Sequence, residues 1–232
     1  MLRGATILFD LDGTMIDTAP DLIHAANHTL ELNGMARVET RVIQPAVGYG
    51  ARAMIRAAME SLGRAPSDDE LTRMTEEFTA YYAANILVDS KPFPGLIEAM
   101  DGLRTEGALL GVCTNKREAL ARKLLAALQI DGYFQAIAGR DTFPKCKPDP
   151  AHVLETIRLA GGDAARAVMI GDSSADSLSA QGAGVPFIGV SFGYGESPIE
   201  VLRPDAVINS FAELHAALRE LLRKGRIGAA GA

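Results

Sequence analysis

The residues most able to do chemistry fall into four short clusters. They are Asp10-Leu11-Asp12-Gly13-Thr14, Thr114-Asn115-Lys116, Lys145-Cys146-Lys147-Pro148-Asp149-Pro150 and Gly171-Asp172-Ser173-Ser174-Ala175-Asp176. Together they supply carboxylates, hydroxyls, an amide and lysines, with few hydrophobic side chains. If Asp10, Asp12, Asp172 and Asp176 converge, so many like charges cannot all stay ionised without a cation. A hard cation with oxygen ligands meets that need. Mg²⁺ suits it, because it takes one or two carboxylates, keeps waters and leaves positions for phosphate oxygens. No Cys/His set for zinc is on offer. Asp10 and Asp12 are two apart, so at a strand end they point to the same side, and Gly13 lets the chain turn away. One carboxylate can then attack while its neighbour moves protons, since aspartate serves as a covalent nucleophile toward phosphoryl groups. Thr114 and Lys147 offer a hydroxyl and an ammonium to phosphoryl oxygens and their growing charge. Lys147 competes for that role with Lys145, two residues earlier. Asp176 also reads as an acid in the first turn of a helix, where it favours the dipole.

The elements that must carry these clusters follow from the pattern around them. Residues 5–9 form a short apolar run rich in β formers, which predicts a buried strand ending at Asp10. Helical periodicity then runs over 20–32, 51–62 and 67–87, the last opening on Ser67 and Glu70 as a capping box. No strand pattern interrupts residues 18–88. After Pro92-Phe93-Pro94-Gly95 the chain alternates: helix 95–105, strand 108–113, helix 117–128, strand 136–138, helix 150–160, strand 167–170, helix 175–183, strand 187–190 and strand 206–208. A final helix is expected to be capped by Ser210 with Glu213, and the Gly/Ala-rich tail from Lys224 is expected to fray. Alternation of this kind predicts an α/β fold, a doubly wound (Rossmann-like) parallel sheet core with a helical block inserted after the first strand. The boundaries are 1–16 and 90–232 for the core and 17–89 for the helical cap. In such sheets ligands bind beyond the carboxyl ends of the strands, which is where the four clusters fall.

The bulk properties narrow the function classes. The 232 residues carry 23 Lys and Arg against 29 Asp and Glu, a net charge of −6. That balance argues against nonspecific nucleic-acid binding. No apolar run reaches the ~18 residues that span a bilayer, and the start lacks the features of a signal peptide, so no membrane partner and a cytoplasmic setting are expected. Cys113 and Cys146 suggest neither a disulfide framework nor a metal site. His24 and His28, four apart, lack a third ligand and read as a polar helix face. Arg52 follows the turn Gly48-Tyr49-Gly50; it reads either as a bidentate partner for a substrate carboxylate or as a solvated charge at a helix start.

The order and spacing of the four clusters, over nearly the whole chain, resemble the motifs of the haloacid dehalogenase-like superfamily. The resemblance implies a phosphatase. Asp10 would be nucleophile and metal ligand. Asp12 would be general acid/base, its backbone carbonyl reaching the metal. Thr114, with Asn115 beside it, and Lys147 would hold the phosphoryl group. Asp172 would be a metal ligand supported by Asp176. The implied cofactor is Mg²⁺, the partner a small phosphorylated metabolite, and the chain a monomer or homodimer. Val47-Gly48-Tyr49-Gly50, Tyr81-Tyr82, Lys91-Pro92-Phe93-Pro94-Gly95 and Phe192-Gly193-Tyr194-Gly195 are similar to stretches in bacterial members that hydrolyse 2-phosphoglycolate. Sugar phosphates, nucleotides, pyrophosphate or a phosphosugar mutase activity are the alternatives within the same superfamily.

Overall fold

The computed structural model describes residues 2–228. Six strands form one parallel sheet in the order β5-β4-β1-β6-β7-β8: β1 is Thr6–Phe9, β4 Leu109–Cys113, β5 Ala136–Ala138, β6 Ala167–Gly171, β7 Phe187–Val190 and β8 Ala206–Ile208. β1 is central, with Thr6 in register with Leu109 on one side and Ala167 on the other. The chain builds outward through β4 and β5, then returns past β1 to begin β6. This is a doubly wound sheet, and its order reverses between β1 and β6, the strands that deliver Asp10 and Asp172.

Side chains of β1 alternate between two apolar layers. Ile7 and Phe9 join a cluster with Val112, Val168 and Ile170, while Leu8 packs with Cys113, Met169 and Phe187 on the other face. Helices α7 (Pro150–Leu159) and α8 (Ser174–Gly182) cover the second face. Burial on both faces explains why these strands read as continuous apolar runs. It also pushes the Cys113 thiol up to about 12, which leaves it a small apolar residue.

Between β1 and β4 lie helices α1 (Ala19–Leu32), α2 (Thr40–Ile43), α3 (Ala51–Ser61) and α4 (Asp68–Ala84), followed by α5 (Leu96–Thr105) on the sheet. Ser67 Oγ accepts the Glu70 amide at 3.2 Å, one half of the expected capping box; the Glu70 carboxylate pairs instead with Arg64 at 3.3 Å. Three features were not legible in the pattern. β2 (Ile16–Asp17) and β3 (Lys91–Pro92) form an antiparallel ribbon where the chain leaves and re-enters the core. α2 and the 3₁₀ turn Gln44–Tyr49 are too short to show a period. α4 stops at Ala84 rather than 87, because the amides of Val88, Asp89 and Ser90 turn to the buried Asp21 carboxylate.

Two expectations at the C-terminus are corrected. Ser210 makes no side-chain cap. Residues Phe211–Glu213 form a 3₁₀ turn, Glu213 instead accepts the Asn209 amide at 2.9 Å, and helix α9 runs Leu214–Arg223 after α6 (Glu118–Ala127) and its successors. The tail does not fray at Lys224: Ile227 is buried, Arg226 pairs with Asp205 at 2.7 Å, and the Gly228 amide bonds Ala165 O at 2.8 Å. Residues 229–232 lie outside the described residues.

Asp21 ties the return of the helical block to the core, its oxygens accepting three amides and the Ser90 hydroxyl at 2.6 Å. Burial alone would raise this carboxyl, but the Ser90 hydroxyl and the amides outweigh it and hold it below the usual value. A carboxylate depressed on folding adds stability that is complete above its unfolded value of about 4 and fades as pH falls through the lower folded value. Asp21→Ala should therefore cost about 2 kcal/mol at neutral pH, with the gap closing in acid, as read by urea denaturation at several pH values. An unchanged midpoint at neutral pH would contradict this role.

Candidate active site

Asp10 follows β1 directly, and its amide continues the ladder to Ile170 O at 2.9 Å. Asp12 sits two residues on, before Gly13 turns the chain at φ +81°. Thr114 and Asn115 follow β4, Lys147 precedes α7, and Asp172 follows β6. All of these side chains, with Lys116 and Asp176, are buried together at the carboxyl edge of the sheet. Lysines are almost never buried unless paired, and two are buried here.

Lys147 Nζ lies 3.0 Å from Asp10 Oδ1 and 2.5 Å from Asp176 Oδ1. No donor meets hydrogen-bond geometry at Asp10 Oδ1, so the ammonium is close to that oxygen without being aimed at it. Asp176 also closes a capping box at α8, accepting the Ser173 amide at 3.1 Å and hydroxyl at 2.6 Å. Both readings of Asp176, helix-turn acid and site neighbour, thus hold at once. Lys145 is exposed. Asp172 forms no ion pair among the described residues: Thr14 Oγ1 donates to it at 3.0 Å and the Tyr194 amide at 2.9 Å.

Burial, with Asp176 and Asp12 adding to it, pushes the Asp10 carboxyl up to about 6 despite the opposing Lys147. Burial, Asp176 and Asp10 raise Asp172 well above the carboxylate range. Burial alone would lower the two ammonium groups, but Asp12 holds Lys116, and Asp10 with Asp176 holds Lys147, above their usual values. Oxygens of Asp10, Asp172 and Asp176 all lie within 4.8 Å of one another. At that range two carboxylates repel by roughly 3–4 kcal/mol at an effective dielectric of about 20. An all-oxygen, over-charged donor set of this kind fits a hard divalent cation. The Asp12 carboxylate stands apart from that group, taken by Lys116 at 2.8 Å and by the Thr18 hydroxyl at 2.6 Å. A second cluster, Asp21, His24 and Asp89, is less suited, because the Asp21 oxygens already serve the loop amides. His28 stacks on Tyr81 at 3.9 Å and forms no pair with His24.

Thr114 Oγ1 accepts the Lys116 amide at 3.2 Å and keeps its own proton to donate. Asn115 spends its amide on Gly48 O at 3.2 Å and Lys147 O at 3.1 Å, so it joins the helical block to the lysine loop. The Gly48-Tyr49 turn has a second anchor, Tyr49 Oη to Ser174 Oγ at 2.6 Å. Arg52 is not brought to the site. It pairs with Asp68 at 2.7 Å and Thr72 at 3.0 Å within the helical block.

Sequence reasoning gave no role to three residues that the fold brings in. Lys116 closes on Asp12 with its ammonium 4.5 Å from the Tyr82 ring centroid. Tyr82 lines the same small cavity as Asp12 and Asn115, between sheet edge and helical block. Tyr194 holds Asp172 by its amide and accepts the Thr18 and Ala19 amides at 2.8 and 3.1 Å, seating the start of α1. Their only signal was position, beside a motif or within a repeated Gly-Tyr-Gly pattern.

A buried aspartate pair lies at the switch point of a doubly wound sheet, flanked by a lysine and by a carboxylate cluster that could hold a metal ion, an arrangement suited to chemistry on phosphoryl groups. The haloacid dehalogenase-like hydrolase family matches residues 7–190, and the chain belongs to that family. Phosphoglycolate phosphatases of Mesorhizobium japonicum and Agrobacterium fabrum are each 45% identical to it, over 93% of this chain and 95% of the first, and over 96% of this chain and of the second. A crystal structure described as a predicted phosphoglycolate phosphatase from Haemophilus somnus has a TM-score of 0.86 at 27% identity, covering 93% of this chain and 98% of that one. Within the family the chain is a phosphatase, a phosphoric monoester hydrolase. No helix among the described residues is long and apolar enough to cross a membrane.

Gly13 is constrained both by space and by its backbone conformation. A Cβ there would sit 2.5 Å from Asp172 Oδ2 and 2.9 Å from the Tyr194 ring, at a φ that L side chains rarely adopt. Gly13→Ala should displace Asp172 and lower phosphatase activity about tenfold or more in a folded protein. Unchanged steady-state kinetics would contradict the geometry.

Proposed function

We propose that the protein is a Mg²⁺-dependent phosphatase that converts 2-phosphoglycolate to glycolate and phosphate through an aspartyl phosphate on Asp10. The observation that carries this reading is the meeting of Asp10, Asp12, Lys147 and Asp172 at one sheet edge. The relatives' shared name, at 45% identity over almost the full chain, supports the substrate.

The Asp10 carboxylate attacks phosphorus in line with the ester oxygen, and the ester P–O bond breaks. Asp12 gives its proton to the leaving alkoxide, which departs as glycolate. Asp12 then takes a proton from water as that water attacks the phosphoryl group on Asp10, releasing inorganic phosphate and restoring the Asp10 carboxylate and the protonated Asp12. Thr114 and Lys147 hold the phosphoryl oxygens, with Asn115 fixing the loop that carries Lys147. Asp176 orients Lys147 through their ion pair. Asp10, Asp172 and the Asp12 carbonyl would hold Mg²⁺, which would supply positive charge for the approach of an anionic phosphate to a carboxylate. Residues 17–89 serve as a cap over a core of residues 1–16 and 90–232, limiting stray water. Arg52, committed to Asp68, has no part in this reading.

The test is Asp10→Asn together with a substrate panel. The variant should fold and lose more than about a thousandfold in kcat. Wild type should show its highest kcat/KM on 2-phosphoglycolate, against glucose 6-phosphate, nucleoside monophosphates and pyrophosphate. Activity retained by Asp10→Asn would defeat the mechanism, and a better substrate elsewhere in the panel would defeat the substrate assignment.

A further inference from the structure

We propose that Lys116 and Tyr82 form the subsite that receives the carboxylate of the substrate, and so set the preference for a short acidic leaving group. The inference rests on the reading of Asp12 as the group that protonates the leaving oxygen.

Tyr82, on α4, is 1% exposed, and its hydroxyl is a buried polar atom with no hydrogen-bond partner. Leaving such a group unpaired costs about 1–3 kcal/mol, so native structures keep few of them. The Tyr82 side chain lines the cavity that also holds Asp12 and Lys116, with the hydroxyl buried behind its wall. Lys116 lies over the ring face, its ammonium 4.5 Å from the centroid and against the phenol oxygen. Its donors reach the Asp12 oxygens at 2.8 and 3.1 Å. A phenol that accepts from an ammonium still has its own proton to give. The wall of the cavity therefore carries an ammonium and, behind it, a phenol whose proton has no acceptor among the described residues, next to the carboxylate read as serving the leaving oxygen.

In a phosphorylated 2-hydroxy acid a single carbon separates the ester oxygen from the carboxylate. A leaving oxygen at Asp12 sets that carboxylate beside Lys116 and the Tyr82 hydroxyl, where it gains a charge-assisted bond and satisfies the orphaned proton. A sugar would fare worse. The neighbouring walls are Leu22, Met54 and Phe78, and the Thr75 and Thr79 hydroxyls already donate at 2.6 Å to Leu71 O and Thr75 O. Sugar hydroxyls entering along that wall would lose water and find no free donor on those threonines. At the rim, Arg117 and Arg140 are exposed and form no ion pair among the described residues, which favours the entry of a multiply charged anion.

The test compares 2-phosphoglycolate with ethyl phosphate, a leaving group of similar length without the carboxylate. Wild type should prefer 2-phosphoglycolate. Tyr82→Phe keeps the ring beneath Lys116 and removes only the hydroxyl. It should shrink the ratio of the two kcat/KM values about tenfold or more, mainly through KM for 2-phosphoglycolate. A ratio unchanged within about twofold would overturn the proposal, as would a parallel loss on both substrates. Lys116→Met, checked for folding by circular dichroism, should shrink the ratio at least as far; if it does not fold, the Tyr82→Phe ratio decides alone. A wild type that turns over both esters equally removes the subsite while leaving the phosphatase chemistry in place. Activity in Asp10→Asn would instead remove the chemistry.

Discussion

Four carboxylates and two ammonium groups are buried against one another at the edge of the sheet, and that imbalance governs the rest of the molecule. Asp12 is matched by Lys116, and Lys147 is shared between Asp10 and Asp176. Asp172 has only a hydroxyl and an amide. With every group ionised, two negative charges remain, the deficit a divalent cation would fill. Without one, burial and mutual repulsion drive Asp10 and Asp172 toward protonation. Bringing these acids together demands rigid supports on every side, and the fold supplies them. β1 and β6 present Asp10 and Asp172 from adjacent strands, the Tyr194 amide fixes Asp172, and the turn at Gly13 leaves room for its carboxylate.

The helical block is coupled to this charge cluster through a few polar contacts. The Asn115 amide reaches Gly48, Tyr49 reaches Ser174, and the Tyr194 hydroxyl seats the start of α1. The Lys116 ammonium bridges Asp12 to the Tyr82 ring. Each contact joins a residue of the block to a residue within a step or two of the chemistry. Movement of the block would therefore be felt at Asp12.

Much of this was legible because chemistry and periodicity agreed. Asp10 and Asp12 stand at the end of an apolar strand, and each later cluster follows a strand or opens a helix, so topology alone brings them to one edge. What stayed hidden depends on side-chain direction and on distant partners. Lys116 was visible as a residue but not as a buried cation, because burial depends on Tyr82, which arrives from another element. Arg52 follows a glycine turn as expected, yet Asp68, one helix further on, captures it. The tail looked loose by composition, but a single apolar residue, Ile227, and the pairing of Arg226 with Asp205 hold it as far as Gly228. The Ser210 cap failed because a 3₁₀ turn intervenes before the helix begins.

Titration calorimetry of Mg²⁺ into the protein, stripped of metal beforehand by chelation, tests the charge imbalance most directly. One ion should bind per chain, and binding should be lost in Asp172→Asn while the variant remains folded. No binding to the wild type, or undiminished binding to Asp172→Asn, would contradict a buried carboxylate cluster completed by a divalent cation.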